Sequence, residues 1–242
     1  MNKEFLVVIP ARFKSTRFPG KPLADLNGKS MICRVWEKCV DACSKDSVLI
    51  ATDDKQIEDH CLTHGMNVTM TSDKCKTGTD RVAEVSLKFE AGFYVNVQGD
   101  EPLIDPSDIK KVITHYKLKP NTTFCAMTEI RSEDEYKSPN TPKVVVNEIN
   151  QLLYISRAGI PANKENSFCQ SMKQVCIYAF PKEHLKEFGP DKFKTPLEEI
   201  EDIELLRLLE KNMEVQMVEV KGSSIAVDTP EDLEKVRATL ND

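Results

Sequence analysis

Four cations (Arg12, Lys14, Arg17 and Lys21), two hydroxyls (Ser15 and Thr16) and Gly20 crowd one segment directly after the apolar run Leu6-Val7-Val8-Ile9. Backbone N–H groups of such a turn, together with Arg12 and Lys21, suit a polyphosphate, because cationic donors form charge-assisted hydrogen bonds to phosphate oxygens. A solvated basic loop would have the same composition, but this density of cations at a strand end favours anion binding. The segment lacks the Gly-x4-Gly-Lys-Ser/Thr spacing of the P-loop and the Gly-x-Gly-x-x-Gly of dinucleotide folds, so ATPase and dehydrogenase chemistries lose support.

Two carboxylates follow apolar runs further on. Asp100 ends Val95-Asn96-Val97-Gln98-Gly99-Asp100-Glu101-Pro102, and Asp228 follows Val227 at a second strand-like end. Mg²⁺ takes one or two protein carboxylates and leaves its other positions to phosphate and water, so this pair suits metal-assisted phosphoryl-type transfer. Turn and cap aspartates are common, and neither residue is decisive alone. Thr77-Gly78-Thr79-Asp80-Arg81 places a glycine turn at a helix start, where N–H groups bind an anion or read a base edge, or where Thr77 simply caps the helix. Arg157, after Tyr154-Ile155-Ser156, has the fork for a substrate carboxylate and equally for a structural ion pair. His60, Cys61 and His64 come nearest to a metal cluster, since an i, i+4 spacing puts both histidines on one helical face; a half-exposed helix surface is the plainer reading.

These residues need a frame that holds strand ends together. Short β-rich runs alternate with amphipathic helical segments: Phe5–Ile9, Ser30–Ala42, Ser47–Ala51, Asp54–His64, Val68–Met70, Asp80–Glu90 and Phe93–Val97. This order predicts an α/β fold with a mostly parallel sheet and helices on both faces, with ligands beyond the carboxyl ends of the strands. Asp105-Pro106 and Thr229-Pro230 read as helix caps followed by a first-turn proline. Strands return at Lys143–Val146, Leu152–Ile155, Val175–Phe180 and Glu214–Val220 around a helix over Pro196–Lys211, and Ser138–Pro142 and Pro161–Ser171 read as loops.

The whole chain narrows the function further. Its 242 residues and 40% apolar content are compatible with one α/β domain spanning residues 1–242. A formal net charge of −6, from 33 Lys+Arg against 39 Asp+Glu, gives no broad footprint for nucleic acid or an anionic membrane. The apolar run near the N-terminus is too short for a signal-peptide core or a spanning helix, so a cytoplasmic protein is expected. Eight scattered cysteines with no Cys-x-x-Cys pair read as reduced thiols, mostly small core hydrophobes.

In their shared order, these segments resemble the 3-deoxy-manno-octulosonate (Kdo) cytidylyltransferases nearly end to end. The resemblance is carried by Val8-Ile9-Pro10-Ala11-Arg12, Pro19-Gly20-Lys21-Pro22-Leu23, Ala51-Thr52-Asp53, Thr77 to Arg81, Asn96 to Pro102, Tyr154-Ile155-Ser156-Arg157 and Val227 to Leu233. It implies a nucleotide-diphospho-sugar transferase-like, Rossmann-like sheet with a small inserted substrate and dimerisation subregion, and a homodimer. It also implies that Arg12, Lys21 and Asp100 are catalytic, and that Pro10, Ala11, Arg12, Lys21 and Thr77, Gly78, Thr79, Asp80 and Arg81 line the nucleotide. On the same basis Asp100 and Asp228 bind Mg²⁺, and Gln98, Arg157, Gln174, Tyr178 and Glu204 face the sugar acid. The implied reaction is attack of the ulosonate anomeric hydroxyl on the α-phosphate of CTP, with release of pyrophosphate; such products generally feed lipopolysaccharide or capsule assembly in bacteria.

The acceptor side departs from the pattern. A typical member has His-x-Gly-Ile-Tyr where this chain has Gln174-Val175-Cys176-Ile177-Tyr178, and Glu-Gln-Leu-Arg where it has Glu204-Leu205-Leu206-Arg207. Losing a polar partner to a sugar hydroxyl can cost orders of magnitude in specificity. An amino-substituted ulosonate, a nonulosonic acid, a phosphonate-bearing acceptor, or a catalytically silent nucleotide-binding paralogue therefore stands beside Kdo transfer as an expectation.

Overall fold

A computed structural model describes residues 3–14, 18–165 and 167–241. Ser15, Thr16 and Arg17 of the cation segment lie outside these.

The first half runs β1 (Leu6–Ala11), β2 (Asp25–Leu26), β3 (Lys29–Ser30), α1 (Met31–Ala42), β4 (Val48–Thr52), α2 (Lys55–Thr63), β5 (Val68–Met70), α3 (Gly78–Lys88), β6 (Tyr94–Val97) and α4 (Pro106–Leu118). The second half runs β7 (Thr123–Glu129), α5 (Glu133–Lys137), β8 (Lys143–Val146), β9 (Leu152–Ser156), β10 (Met172–Phe180), α6 (Lys182–Leu185), α7 (Pro196–Glu201), α8 (Leu205–Glu210), β11 (Val215–Glu219) and α9 (Pro230–Asn241). The main sheet has the order β11-β7-β10-β6-β1-β4-β5, with β8 joined to β10 and β9 to β8. β5, β4, β1 and β6 pair in parallel, as do β11 and β7, while β10 runs antiparallel between β6 and β7.

The expected α/β architecture is present, and its cause is visible in β1. All six of its residues are buried, so both faces of the strand need apolar cover. Val7 and Ile9 join the cluster built with α1 and α4, and Leu6 and Val8 the cluster built with α3 and α8. The chain travels from β1 to β4 and β5, then returns to β6 on the other side of β1. That reversal opens a crevice beyond the carboxyl ends of β1 and β6. At Gly99, just past β6, a Cβ would lie 2.8 Å from the Pro10 carbonyl oxygen, so only glycine lets the two strand ends approach this closely.

Four readings of the sequence change. The single helix expected over residues 196–211 is two, α7 and α8, because Asp202 sits in the left-handed region with φ 50° and ends the first. The helix expected from Asp80 begins at Gly78, since Thr77 is its cap. β7 was not expected as a strand; Thr-Phe-Cys-Ala-Met-Thr-Glu is poor in β-branched residues, yet its first six positions are buried between β11 and β10. Val227 and Asp228 end no strand. They are held instead by a small cluster in which Val227 packs with Leu26, Met31, Leu233 and Val236.

Candidate active site

A cavity of about 320 Å³ opens at the crevice between β1 and β6. Every residue assigned from the sequence to the nucleotide, the Mg²⁺ pair or the acceptor lines it except Thr79 and Asp80. Pro10 and Ala11 close the end of β1 and Arg12 follows them, exposed.

Lys21 occupies a short 3-10 turn, Lys21–Leu23, set by Gly20, whose φ of 72° glycine adopts without the strain a Cβ would bring. Its Nζ lies 2.8 Å from Asp100 Oδ2 and 3.5 Å from Asp228 Oδ1, and donates to the Val227 carbonyl at 2.8 Å. The Val227 N–H in turn donates to the Asp100 carbonyl at 2.9 Å. Two aspartates far apart in the chain thus meet at one ammonium. Paired carboxylates converging on one cation are the donor set that a hard divalent ion needs, so these residues fit Mg²⁺.

The turn before α3 is already filled from within. Thr77 caps the helix and forms a reciprocal capping box with Asp80. The Glu204 carboxylate accepts from the Gly78 N–H at 2.9 Å and from the Thr79 N–H and hydroxyl. This corrects the expectation that these N–H groups are open to an anion. Burial pushes the Glu204 carboxyl above its usual range, while the Thr79 bonds pull against that. Asp80 and Thr79 face inward: Asp80 Oδ1 accepts from Gly189 N–H at 2.9 Å and from the fully buried Arg207 at 3.1 Å. Arg81 reaches the cavity wall but its guanidinium is anchored to Thr71 and lies 3.3 Å from Asp53. The Gln98 amide packs directly against the bare backbone of Gly78, 2.6 Å from where a Cβ would stand.

On the acceptor side, Arg157 donates to three backbone carbonyls, those of Glu201, Pro139 at 2.8 Å and Asp202 at 3.0 Å. Its guanidinium lines the cavity while bracing the α7–α8 corner. Gln174 donates to the Tyr178 hydroxyl at 3.1 Å, and burial raises the Tyr178 phenol well above its ordinary range. A bulge in β10 between Val175 and Tyr178 turns Cys176 towards the β6 end, where its N–H donates to Glu101 at 3.3 Å and its carbonyl accepts from Gln98. Leu205 is fully buried in the core and does not line the cavity, so that departure from the family pattern lies behind the wall.

Glu101 is the site residue that motif reading passed over. It is buried beside Asp100, lines the cavity, and has its carboxyl pushed up to about 7, first by burial and then by the Asp100 charge. An acidic doublet at the end of a buried strand was the available signal. Of the residues named with His60 and His64, Cys61 is fully buried and takes no part in a cluster, whereas Cys33 of α1 lies against His60.

Comparison with known proteins decides the family. A cytidylyltransferase profile matches residues 6–215. The 3-deoxy-manno-octulosonate cytidylyltransferase of Parabacteroides distasonis is 40% identical, over 98% of this chain and 98% of its own. The Escherichia coli protein of the same name is 37% identical over 97% of this chain. The chain belongs to the 3-deoxy-manno-octulosonate cytidylyltransferases. A solved structure of CMP:2-keto-3-deoxy-manno-octonic acid synthetase complexed with CTP superposes with a TM-score of 0.90 at 36% identity, covering 99% of both chains. A glucose-1-phosphate thymidylyltransferase structure from Bacillus anthracis, at 16% identity and a TM-score of 0.70, shares the fold alone.

Proposed function

We infer that this chain is a CTP-dependent enzyme that transfers CMP to the anomeric hydroxyl of Kdo and releases pyrophosphate. The observation that carries the reading is the convergence of Asp100, Asp228 and Lys21 beside the Arg12-bearing end of β1. In the reaction the C2 hydroxyl oxygen bonds to the α-phosphorus, and the bond from that phosphorus to the oxygen bridging to the β-phosphate breaks. Arg12 and Lys21 would offset charge on the triphosphate, and the fixed cavity would align the two reactants, which removes much of the entropic barrier. Asp100 and Asp228 would hold Mg²⁺, which supplies charge neutralisation at the phosphate oxygens. No enzyme nucleophile is needed, because the acceptor itself supplies the attacking oxygen, whose proton passes to solvent as pyrophosphate leaves.

Gln98, Arg157, Gln174 and Tyr178 form the acceptor wall in this proposal. Gln174 favours a second reading, an acidic acceptor related to Kdo, because its amide meets Tyr178 where the family commonly presents a histidine. Pyrophosphate release with CTP, Mg²⁺ and Kdo tests the first reading, and competition with amino-substituted ulosonates and nonulosonic acids tests the second. Turnover with Kdo preferred is the expected result; absence of turnover with every acceptor in folded protein would leave only nucleotide binding. The same proposal puts the chain in the cytoplasm as a homodimer of one-domain subunits. No helix among the described residues is long and apolar enough to cross a membrane, and sedimentation with a single cooperative melt tests the assembly.

A further inference from the structure

Away from the crevice, a second cavity of about 480 Å³ is lined by Ser30, Cys33, Glu37, His60 and His64. Cys33 lies on α1 and His60 on α2, with His64 as the residue capping α2 at its C-terminus. One ligand atom from each of Cys33, His60 and His64 lies within 4.8 Å of the other two. No residue of this cluster belongs to the nucleotide or acceptor walls.

The geometry points to a site for a thiophilic divalent ion such as Zn²⁺, held by Cys33, His60 and His64. Cys33 Sγ is 3.5 Å from His60 Nε2. Zinc bonds of about 2.3 Å to sulfur and about 2.0–2.1 Å to nitrogen, at tetrahedral angles, separate those two ligands by about 3.5 Å, so this edge of the polyhedron is already formed. His64 Nδ1 sits 2.8 Å from the His60 carbonyl, which as acceptor requires Nδ1 to carry the proton and leaves Nε2 with the lone pair a metal takes. The ring centroids of His60 and His64 are 4.2 Å apart, one helical turn separating them on one face. Ser30 Oγ caps α1 by accepting from the Cys33 N–H and so fixes that ligand, while its 2.8 Å hydrogen bond to His60 Nε2 is one that the ion would displace on taking that nitrogen. A soft sulfur with two imidazoles selects zinc-like ions over Mg²⁺, which prefers oxygen. Cys33 binds as thiolate, its proton passing to solvent, and the cavity leaves the fourth position to water.

The test uses the full chain in a Cys169→Ser background, because Cys169 is an exposed thiol. Co²⁺ is titrated as a spectroscopic probe with Mg²⁺ in excess, and Zn²⁺ then competes for it. One equivalent bound, with a thiolate-to-cobalt charge-transfer band displaced by Zn²⁺, is expected. Cys33→Ser should abolish the band and weaken binding about a hundredfold or more, and His64→Gln, at an exposed position, about tenfold or more, in line with the sensitivity of metal sites to their ligands. Pyrophosphate release under Mg²⁺ checks that each variant is folded. No stoichiometric binding, binding without a thiolate band, or a band that survives Cys33→Ser would overturn the assignment; if Cys33→Ser fails to fold, a band unchanged in His64→Gln does so.

Discussion

At the end of the cavity bearing Lys21, Asp100 and Asp228 the charged groups answer to one another, whereas at the end bearing Arg157 and Glu204 they are tied to the backbone. Lys21 bonds the two aspartates it would share with a metal. Arg157 instead braces three carbonyls, and Glu204 holds the first N–H groups of α3. Substitutions at the first end should therefore alter chemistry with little effect on the fold, and at the second end should alter both. A loss of sugar turnover after changing Arg157 is uninformative about recognition unless stability is measured beside it.

The largest effect is expected at the metal pair. Asp100→Asn should lower kcat by about a thousandfold or more, the scale of losing a preorganised electrostatic contact at the reacting phosphate, with an unchanged melting temperature. Activity near wild type would remove Asp100 from the reaction.

Glu101 sharpens the contrast through pH. Its native carboxyl titrates near 7 against about 4.5 when unfolded, so the native state holds the extra proton between those values. Stability from this group is present below about pH 4.5 and is lost as pH rises towards 7, by about 3 kcal/mol in all. In chelator-treated protein, Glu101→Gln should match wild type near pH 4.5 and exceed it at pH 8; parallel stability curves from urea titrations would contradict the shift.

Arg12→Ala should raise the KM for CTP about tenfold to a hundredfold, corresponding to ~1.5–3 kcal/mol for bonds to a charged phosphate. Its exposed position predicts no loss of stability, and a destabilised variant would break the comparison. Glu204→Gln should show the smallest effect and the opposite pattern. It costs about 1 kcal/mol through the α3 N-terminus, or about 2–4 °C in melting temperature, before any change in acceptor KM is considered. A variant with native stability and altered acceptor KM would return Glu204 to the sugar.

Much of this was readable in advance because the signals are local. Continuous apolar runs such as Leu6 to Ile9 mark buried parallel strands, and Thr77 with Asp80 three residues on marks a helix start. Polar residues directly after those runs, Arg12 and Asp100 among them, follow from where open sheets bind ligands. What stayed hidden depends on partners distant in sequence. Glu204 reaches the α3 turn across 126 positions, so nothing local shows that the turn is already occupied. Leu205 and Glu204 are neighbours in the chain, yet one enters the core and the other lines the cavity, because Asp202 breaks the helix before them. Cys33 joins His60 only once α1 and α2 are packed.

The most direct test of the central claim follows the oxygen of the acceptor. Kdo labelled with ¹⁸O at its anomeric hydroxyl, incubated with CTP, Mg²⁺ and the enzyme, should give a CMP-sugar retaining the label and pyrophosphate free of it, by mass spectrometry. Absence of a CMP-sugar, or a product without the label while the remaining Kdo still carries it, would contradict attack by that hydroxyl at the α-phosphate.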